Sequence, residues 1–145
     1  MNREKKPLLQ TIGQEMTITT HGFDDIPEGP NVFVANHACM RDIFATPASL
    51  PEGCDIVISS RLAHKNSSVR TAVRRLVIEN ALHTIPLEVH GGKEYLEVGL
   101  KMAKQALLDG RSLLIFPEGA YTGSAQVTKG RTGASRILFG ASIGG

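Results

Sequence analysis

The sequence predicts an α/β domain with a mostly parallel sheet flanked by helices. Short runs rich in valine, isoleucine, leucine and phenylalanine alternate along the chain with amphipathic stretches, the order expected when helices connect parallel strands. Glycine makes up 15 of the 145 residues, above the usual share of about 7%, as expected where many tight turns join strands and helices. The length corresponds to one domain, which we place at residues 16–145 after a polar lead-in over residues 1–15.

Five short segments have the composition of β-strands. The first alternates β-branched residues, and the later ones are apolar runs of the kind found in buried parallel strands. The segments are residues 16–20, 31–35, 54–58, 82–85 and 112–116. We expect the fourth strand to end at Pro86 and the fifth at Pro117, because proline lacks the N–H group that a strand donates.

Four segments are predicted to be helical. The clearest covers residues 67–77, where a serine can cap the first turn. Its apolar face consists of Val69, Ala72, Val73, Leu76 and Val77. A second helix covers residues 93–109 and stops at Gly110. Its apolar face consists of Leu96, Leu100, Ala103 and Leu107. Shorter helices are predicted at residues 41–50 and 132–139.

Composition and charge exclude several classes of protein. The formal net charge is +2, aromatic residues make up 5% and tryptophan is absent. The chain therefore lacks the positive charge and the aromatic side chains of a surface that binds nucleic acid by base stacking. Two cysteines, Cys39 and Cys54, do not make a disulfide framework. The polar first residues are unlike a signal peptide, and no run reaches the roughly 18 apolar residues of a membrane-spanning helix. We therefore expect a cytoplasmic protein that can lie on a membrane but does not cross it.

Two loops follow strands where the functional site of a parallel sheet is expected, beyond the carboxyl ends. The first runs from Asn36 to Asp42 and contains His37. A carboxylate held against one ring nitrogen of this histidine would fix its tautomer, which leaves the other nitrogen to act as a general base. The alternative is an incidental surface histidine followed by a carboxylate that caps a helix.

The second loop begins with Phe116-Pro117-Glu118-Gly119. Glu118 can accept hydrogen bonds from a polyol, or it can hold the loop through backbone amides. Gly119 allows a ligand to approach the backbone closely. Taken alone, this segment is also consistent with an ordinary turn.

Together the two loops resemble the glycerophospholipid acyltransferase family, typified by 1-acylglycerol-3-phosphate acyltransferases. That family is marked by an N-H-x4-D block, matched by Asn36–Asp42, and by an F-P-E-G block, matched by Phe116–Gly119. The basic, glycine-containing stretch 129–134 is similar to the family's sequence after the second block. The resemblance covers residue 16 to the end and implies a glycerol-3-phosphate acyltransferase-like fold.

The resemblance implies a transfer reaction in phospholipid synthesis. His37 would deprotonate a hydroxyl of a lipid acceptor, which attacks the thioester of acyl-CoA or acyl carrier protein, and Asp42 would orient the imidazole. The residues implied in acceptor binding are Glu118, Gly119, Tyr121 and Lys129. Neither a cofactor nor a metal is implied, because a thioester is already activated. The expected location is cytoplasmic, on the inner face of the membrane, in peripheral contact with the lipid.

Three departures from the family pattern concern the acceptor and the end of the chain. Tyr121 and Val89 stand where the family has arginines that grip the acceptor phosphate, and neither side chain can replace them. The acceptor could therefore be a lipid with a different headgroup or one without a phosphate. Alternatively, Lys129 or Arg131 could supply the cation that binds the phosphate. The chain ends about where the family's next block, a Val-Pro strand, begins, so we expect the domain to be incomplete there.

Other readings of these residues remain open at this stage. Cys39 could be a nucleophile or a small packing residue. A basic stretch around the predicted helix at 67–77 could be a solvated face or could dock to anionic headgroups, coenzyme A or an acidic carrier. Its members are Arg61, Lys65, Arg70, Arg74 and Arg75. The whole domain could be a non-catalytic remnant that binds lipid or an acyl carrier, or a thioesterase with water as the acceptor.

Overall fold

The structure is a computed structural model that describes residue 19 and residues 21–39, 41–50, 54–59, 83–87, 92–119, 122–124 and 126–142. The strands within these ranges are β1 (Val32–Val34), β2 (Cys54–Ser59), β3 (Thr84–Leu87) and β4 (Ser112–Ile115). The helices are α1 (Asp42–Ser49), α2 (Lys93–Leu108) and α3 (Gly133–Ser142), with a 3-10 turn at Phe23–Asp25. The predicted strand at 16–20, except Thr19, and the predicted helix at 67–77 lie outside the described residues.

The four strands form one sheet in the order β1-β4-β2-β3, and every neighbouring pair is parallel. This arrangement confirms the predicted α/β class. In the β1–β4 pair, Val34 lies opposite Ile115. The carboxyl ends of these two strands therefore meet at one edge of the sheet, although they are far apart in the sequence.

Apolar side chains cover both faces of the sheet, as expected of parallel strands. On β4, Leu113 and Ile115 pack against α2 and α3, whereas Leu114 and Phe116 pack on the other side with Ile43 of α1. The alternation follows the two-residue period of a strand. The sheet is therefore a central layer between α2 and α3 on one face and α1 on the other.

The helix boundaries agree closely with the predictions. The second helix covers Lys93–Leu108, and Gly110 follows it with a φ of 79°, a left-handed conformation that glycine adopts without steric cost. The predicted end of the fourth predicted strand at Pro86 is wrong, because the observed strand, β3, continues to Leu87 and pairs Pro86 with Ile58. Since β3 is the last strand in the order, proline is tolerated there.

Gly99 lies where α2 packs closely against β3. A Cβ placed on it would lie 2.6 Å from the carbonyl oxygen of Pro86 and 2.9 Å from a methyl group of Leu87. We expect Gly99→Ala to lower the free energy of unfolding by about 1–3 kcal/mol, because the helix must move away from β3. Chemical denaturation would measure the change.

Gly140 in α3 is the matched control. A Cβ there meets only the Lys104 side chain at 3.7 Å, an ordinary contact. Gly140→Ala should therefore leave stability unchanged or raise it by up to about 1 kcal/mol through helix propensity. Equal effects of the two substitutions would contradict the close packing inferred at Gly99.

Candidate active site

The pairing of β1 with β4 brings the two predicted loops together. The amide of Ala35 extends the ladder by donating to the Ile115 carbonyl at 3.1 Å. Beyond the strands, the amide of Thr122 donates to the His37 carbonyl at 2.9 Å, and the amide of Gly123 donates to the Ala38 carbonyl at 3.1 Å. The loop after β4 is thus fastened by its main chain to the loop after β1.

His37 and Asp42 are in contact. Nδ1 of the imidazole lies 3.3 Å from Oδ2 of Asp42, and His37 is only 6% exposed. Asp42 is the first residue of α1, so the helix fixes where its carboxylate stands. A carboxylate accepts hydrogen bonds, which favours the tautomer with the proton on Nδ1 and the lone pair on Nε2. That tautomer is the one a general base requires.

Asp42 remains ionised well into the acid range. Partial burial raises the pKa of Asp42, but hydrogen bonds from the Cys39 amide, the His37 ring, the Cys39 thiol and the Ala38 amide outweigh burial and hold the pKa below its usual value of 3.8. The Cys39 amide lies 2.7 Å from Oδ2. The carboxylate can therefore hold the imidazole and stabilise a positive charge on it.

An aromatic ring also packs against the imidazole of His37. The ring of Phe116 lies against the imidazole with centroids 4.6 Å apart and the two planes tilted by 32°. Phe116 is itself part of the core beside α1. Packing on one side and the Asp42 carboxylate on another together limit the rotation of the imidazole.

Glu118 binds main-chain amides of two segments. Its Oε2 accepts the N–H of His37 at 2.6 Å, and its Oε1 accepts the N–H of Thr128 at 3.3 Å. The sequence left open whether this glutamate binds a polyol or holds a loop, and the observed bonds are of the second kind. A role in acceptor binding remains a prediction.

Gly119 lies under the side chain of Arg131. The glycine has a φ of 73°, and a Cβ placed on it would lie 3.2 Å from Nε of Arg131. The amide of Arg131 also donates to the Pro117 carbonyl at 2.7 Å. The segment that leads into α3 is therefore fixed against the F-P-E-G turn.

A groove lies beside this turn at the carboxyl edge of the sheet. It contains about 400 Å³ of space, part of which is open to solvent. Among the described residues that line it, most are apolar and come from the ends of β2, β3 and β4, and Arg131 is the one that carries a charge. Phe116 lines the groove and also contacts the imidazole of His37, which is not itself among the lining residues.

The remaining predicted site residues are exposed or lie outside the described residues. Lys129 is exposed, and Cys39 is exposed with its Sγ 3.5 Å from Oδ1 of Asp42. Tyr121, Val89 and the basic stretch at 61–75 lie outside the described residues.

The sequence did not indicate the parts played by Thr122 and Thr128, because both donate backbone amides, although the Thr122 hydroxyl also donates to the His37 carbonyl at 3.4 Å. The type of a residue does not reveal which partner its backbone amide will bind. The stacking of Phe116 on His37 was likewise not foreseen, although Phe116 belongs to the F-P-E-G block.

The part of the chain that the structure describes contains no group of three histidine, cysteine, aspartate or glutamate side chains arranged to hold a metal ion. None of the helices in these ranges combines the length and the apolar character that a bilayer-crossing segment needs.

Comparison with known proteins supports the interpretation of the two loops. Searches of curated proteins and of solved structures gave no match. The family model described as Acyltransferase matches residues 17–143, which include both the histidine block and the glutamate block. The match confirms the resemblance to the glycerophospholipid acyltransferases, and the chain belongs to the acyltransferase family.

Proposed function

We propose that this acyltransferase moves a fatty acyl group from a thioester, acyl-CoA or acyl carrier protein, to a hydroxyl of a lysophospholipid or related lipid acceptor. The observation that carries the proposal is the contact between His37 and Asp42 at the carboxyl end of β1, beside an apolar groove. A base next to apolar space suits a hydroxyl on a molecule with a hydrocarbon chain.

In the proposed reaction, Nε2 of His37 takes the proton of the acceptor hydroxyl as its oxygen attacks the thioester carbonyl. The tetrahedral intermediate collapses by breaking the carbon–sulfur bond, and the imidazolium returns its proton to the leaving thiolate. The products are an ester and a free thiol. Asp42 stabilises the imidazolium while it exists, and its lowered pKa keeps it charged for that purpose.

Glu118 acts in this proposal as a positioning residue. Its hydrogen bond to the His37 amide fixes the main chain that carries the base, and its second oxygen holds Thr128. Hydrogen bonds from backbone N–H groups to a charged carboxylate are stronger than those to a neutral oxygen. The proposal therefore requires an ionised glutamate rather than any polar side chain at this position.

The acceptor and the acyl product are both lipids, which places the reaction at a membrane surface. We propose peripheral contact with the inner, cytoplasmic face of the membrane and a role in phospholipid synthesis. Leu138 and Phe139 of α3 are 47% and 70% exposed, and exposed apolar side chains of this kind favour contact with lipid. The reaction needs neither a metal nor a cofactor, because the thioester is already activated.

The reaction is tested by supplying purified protein with acyl-CoA and a panel of lysolipids while following thiol release and the ester product. We expect His37→Ala to lower kcat by about 10²–10⁴-fold, since the general base is lost. His21→Ala is the control, because His21 is exposed in a separate loop.

The other outcomes of this assay separate the alternative functions. Thiol release without lysolipid, with free fatty acid as the product, would indicate a thioesterase. Lipid binding without any turnover would indicate a non-catalytic remnant. Full activity of His37→Ala would exclude the proposed base.

The ionisation of Asp42 can be tested through stability. The pKa of Asp42 is lower in the folded chain than its usual value of 3.8. Ionised Asp42 therefore stabilises the fold above pH 3.8. This stabilisation is lost as the pH falls from 3.8 toward the pKa of Asp42 in the folded chain. The difference in free energy of unfolding between the wild type and Asp42→Asn should therefore be larger at pH 5 than at pH 3. A difference that grows on acidification would contradict the lowered pKa.

Glu118→Gln tests the positioning role. We expect the free energy of unfolding to fall by about 1.5–3 kcal/mol and kcat to fall with it, because one amide that faced a carboxylate oxygen now faces an NH₂ group. Glu28→Gln, at an exposed loop position, controls for the loss of one negative charge. If instead only the acceptor KM rises while stability stays unchanged, Glu118 binds the acceptor.

A further inference from the structure

One side of α2 carries a stripe of exposed apolar side chains. The stripe consists of Tyr95, Val98 and Met102, which are 61%, 57% and 45% exposed. Spacings of three and four residues place them on one face of the helix, over about 10 Å of its length. A row of large apolar side chains in water is the mark of an interaction surface.

The stripe lies on the side of α2 that is turned away from α3. Glu97 pairs with Arg136 of α3, and Lys104 lies beside Gly140, so these positions define the side that faces α3. A helix turns by about 100° per residue, which puts every member of the stripe about 100° or more around the helix from Glu97. Close packing at Gly99 holds α2 against β3, so the stripe is presented on a fixed helix.

Two side chains of opposite charge border the stripe. Glu94 and Lys101 are both exposed and stand about two helical turns apart. Neither forms an ion pair within the part of the chain that the structure describes. A second α2 laid antiparallel, with Val98 facing Val98 of the second copy, brings Glu94 opposite Lys101 and Tyr95 opposite Met102. The two-fold relation makes each of these pairs occur twice.

We propose that the stripe is the contact surface of a symmetric dimer, in which the α2 helices of two copies of this chain pack antiparallel. A surface that contacts its own copy must be self-complementary about a two-fold axis, and the stripe with its two bordering charges meets that condition. In a parallel pair each Glu94 lies level with the other Glu94, so that arrangement lacks the ion pairs. The proposal concerns assembly and is independent of the reaction proposed above.

A lipid surface suits the stripe less well than a second copy does. Helices that lie on membranes border their apolar face with lysine and arginine, which meet anionic headgroups. The border here has one acid and one base, Glu94 and Lys101, and Asp109 continues the same face one heptad after Met102. Three apolar side chains from each copy make a small interface, so we expect a weak dimer with a Kd of about 10–100 μM.

Sedimentation equilibrium of the purified full chain over about 1–500 μM measures this assembly directly. We expect the mass to rise reversibly with concentration from 15.6 kDa toward twice that value. Val98→Glu should raise the Kd by about 10-fold or more, because it sets two carboxylates face to face on the two-fold axis. Phe139→Glu is the matched control, since it introduces the same group at an exposed apolar position of α3 and should leave the Kd unchanged. Circular dichroism checks that both variants are folded.

Charge reversal tests the antiparallel arrangement. Glu94→Lys or Lys101→Glu alone sets like charges opposite each other and should raise the Kd by about 3- to 20-fold. The double variant, Glu94→Lys with Lys101→Glu, restores opposite charges and should return the Kd to near the wild-type value. Glu28→Lys, at an exposed loop position, controls for the change in net charge.

Three results would overturn the dimer. They are a wild type that stays monomeric over the whole concentration range, equal effects of Val98→Glu and Phe139→Glu, and a double charge variant that does not recover. A monomeric wild type whose binding to vesicles of phosphatidylcholine and phosphatidylglycerol is lost in Val98→Glu would assign the stripe to the membrane instead. Acyl transfer is not part of these measurements, so their failure leaves the proposed reaction standing.

Discussion

The parallel pairing of β1 with β4 is the constraint on which the site depends. The two strands are brought side by side with Val34 opposite Ile115, so the residues that follow them leave the sheet at the same edge. His37 and Glu118, which are 81 positions apart in the chain, can then form a direct hydrogen bond. The long loop that this pairing closes costs conformational entropy, and burial of Leu113, Leu114 and Ile115 on both faces of the sheet offsets that cost.

The groups that hold His37 come from three different directions. Asp42 approaches from the first turn of α1, Phe116 lies against the ring from the end of β4, and Glu118 binds the main chain. The Asp42 contact favours one tautomer, the Phe116 contact limits rotation of the ring, and the Glu118 contact fixes the position of the backbone. If His37 is the base, as proposed, an imidazole restricted in this way meets a hydroxyl without reorganising, which is the condition under which proton transfer is most effective. Asp42 and Glu118, the acidic residues of the two blocks, therefore have separate roles. Asp42 contacts the imidazole ring, and Glu118 binds the main chain of His37.

The sequence predicted the parts of this arrangement that depend on local pattern. Apolar periodicity located α2 to within one residue, and the rule that sites lie beyond the carboxyl ends of parallel strands selected the loops that contain His37 and Glu118. The order of the strands was not predictable, because it depends on contacts between distant segments. Pro86 was taken as a strand end, although its place on the last strand of the described sheet makes proline acceptable there. The amides of Thr122 and Thr128 and the position of Arg131 over Gly119 appear only once the loops are folded against each other.

The proposed base and the charged residue of the groove come from different segments of the chain. The proposed base and its support come from the ends of β1 and β4 and the start of α1, where hydrogen bonds fix the geometry. The cation of the groove comes from the segment that leads into α3, which contacts the turn through the Pro117 carbonyl and the surface over Gly119. Substitutions in that segment can change the charge at the groove without disturbing the His37–Asp42 contact.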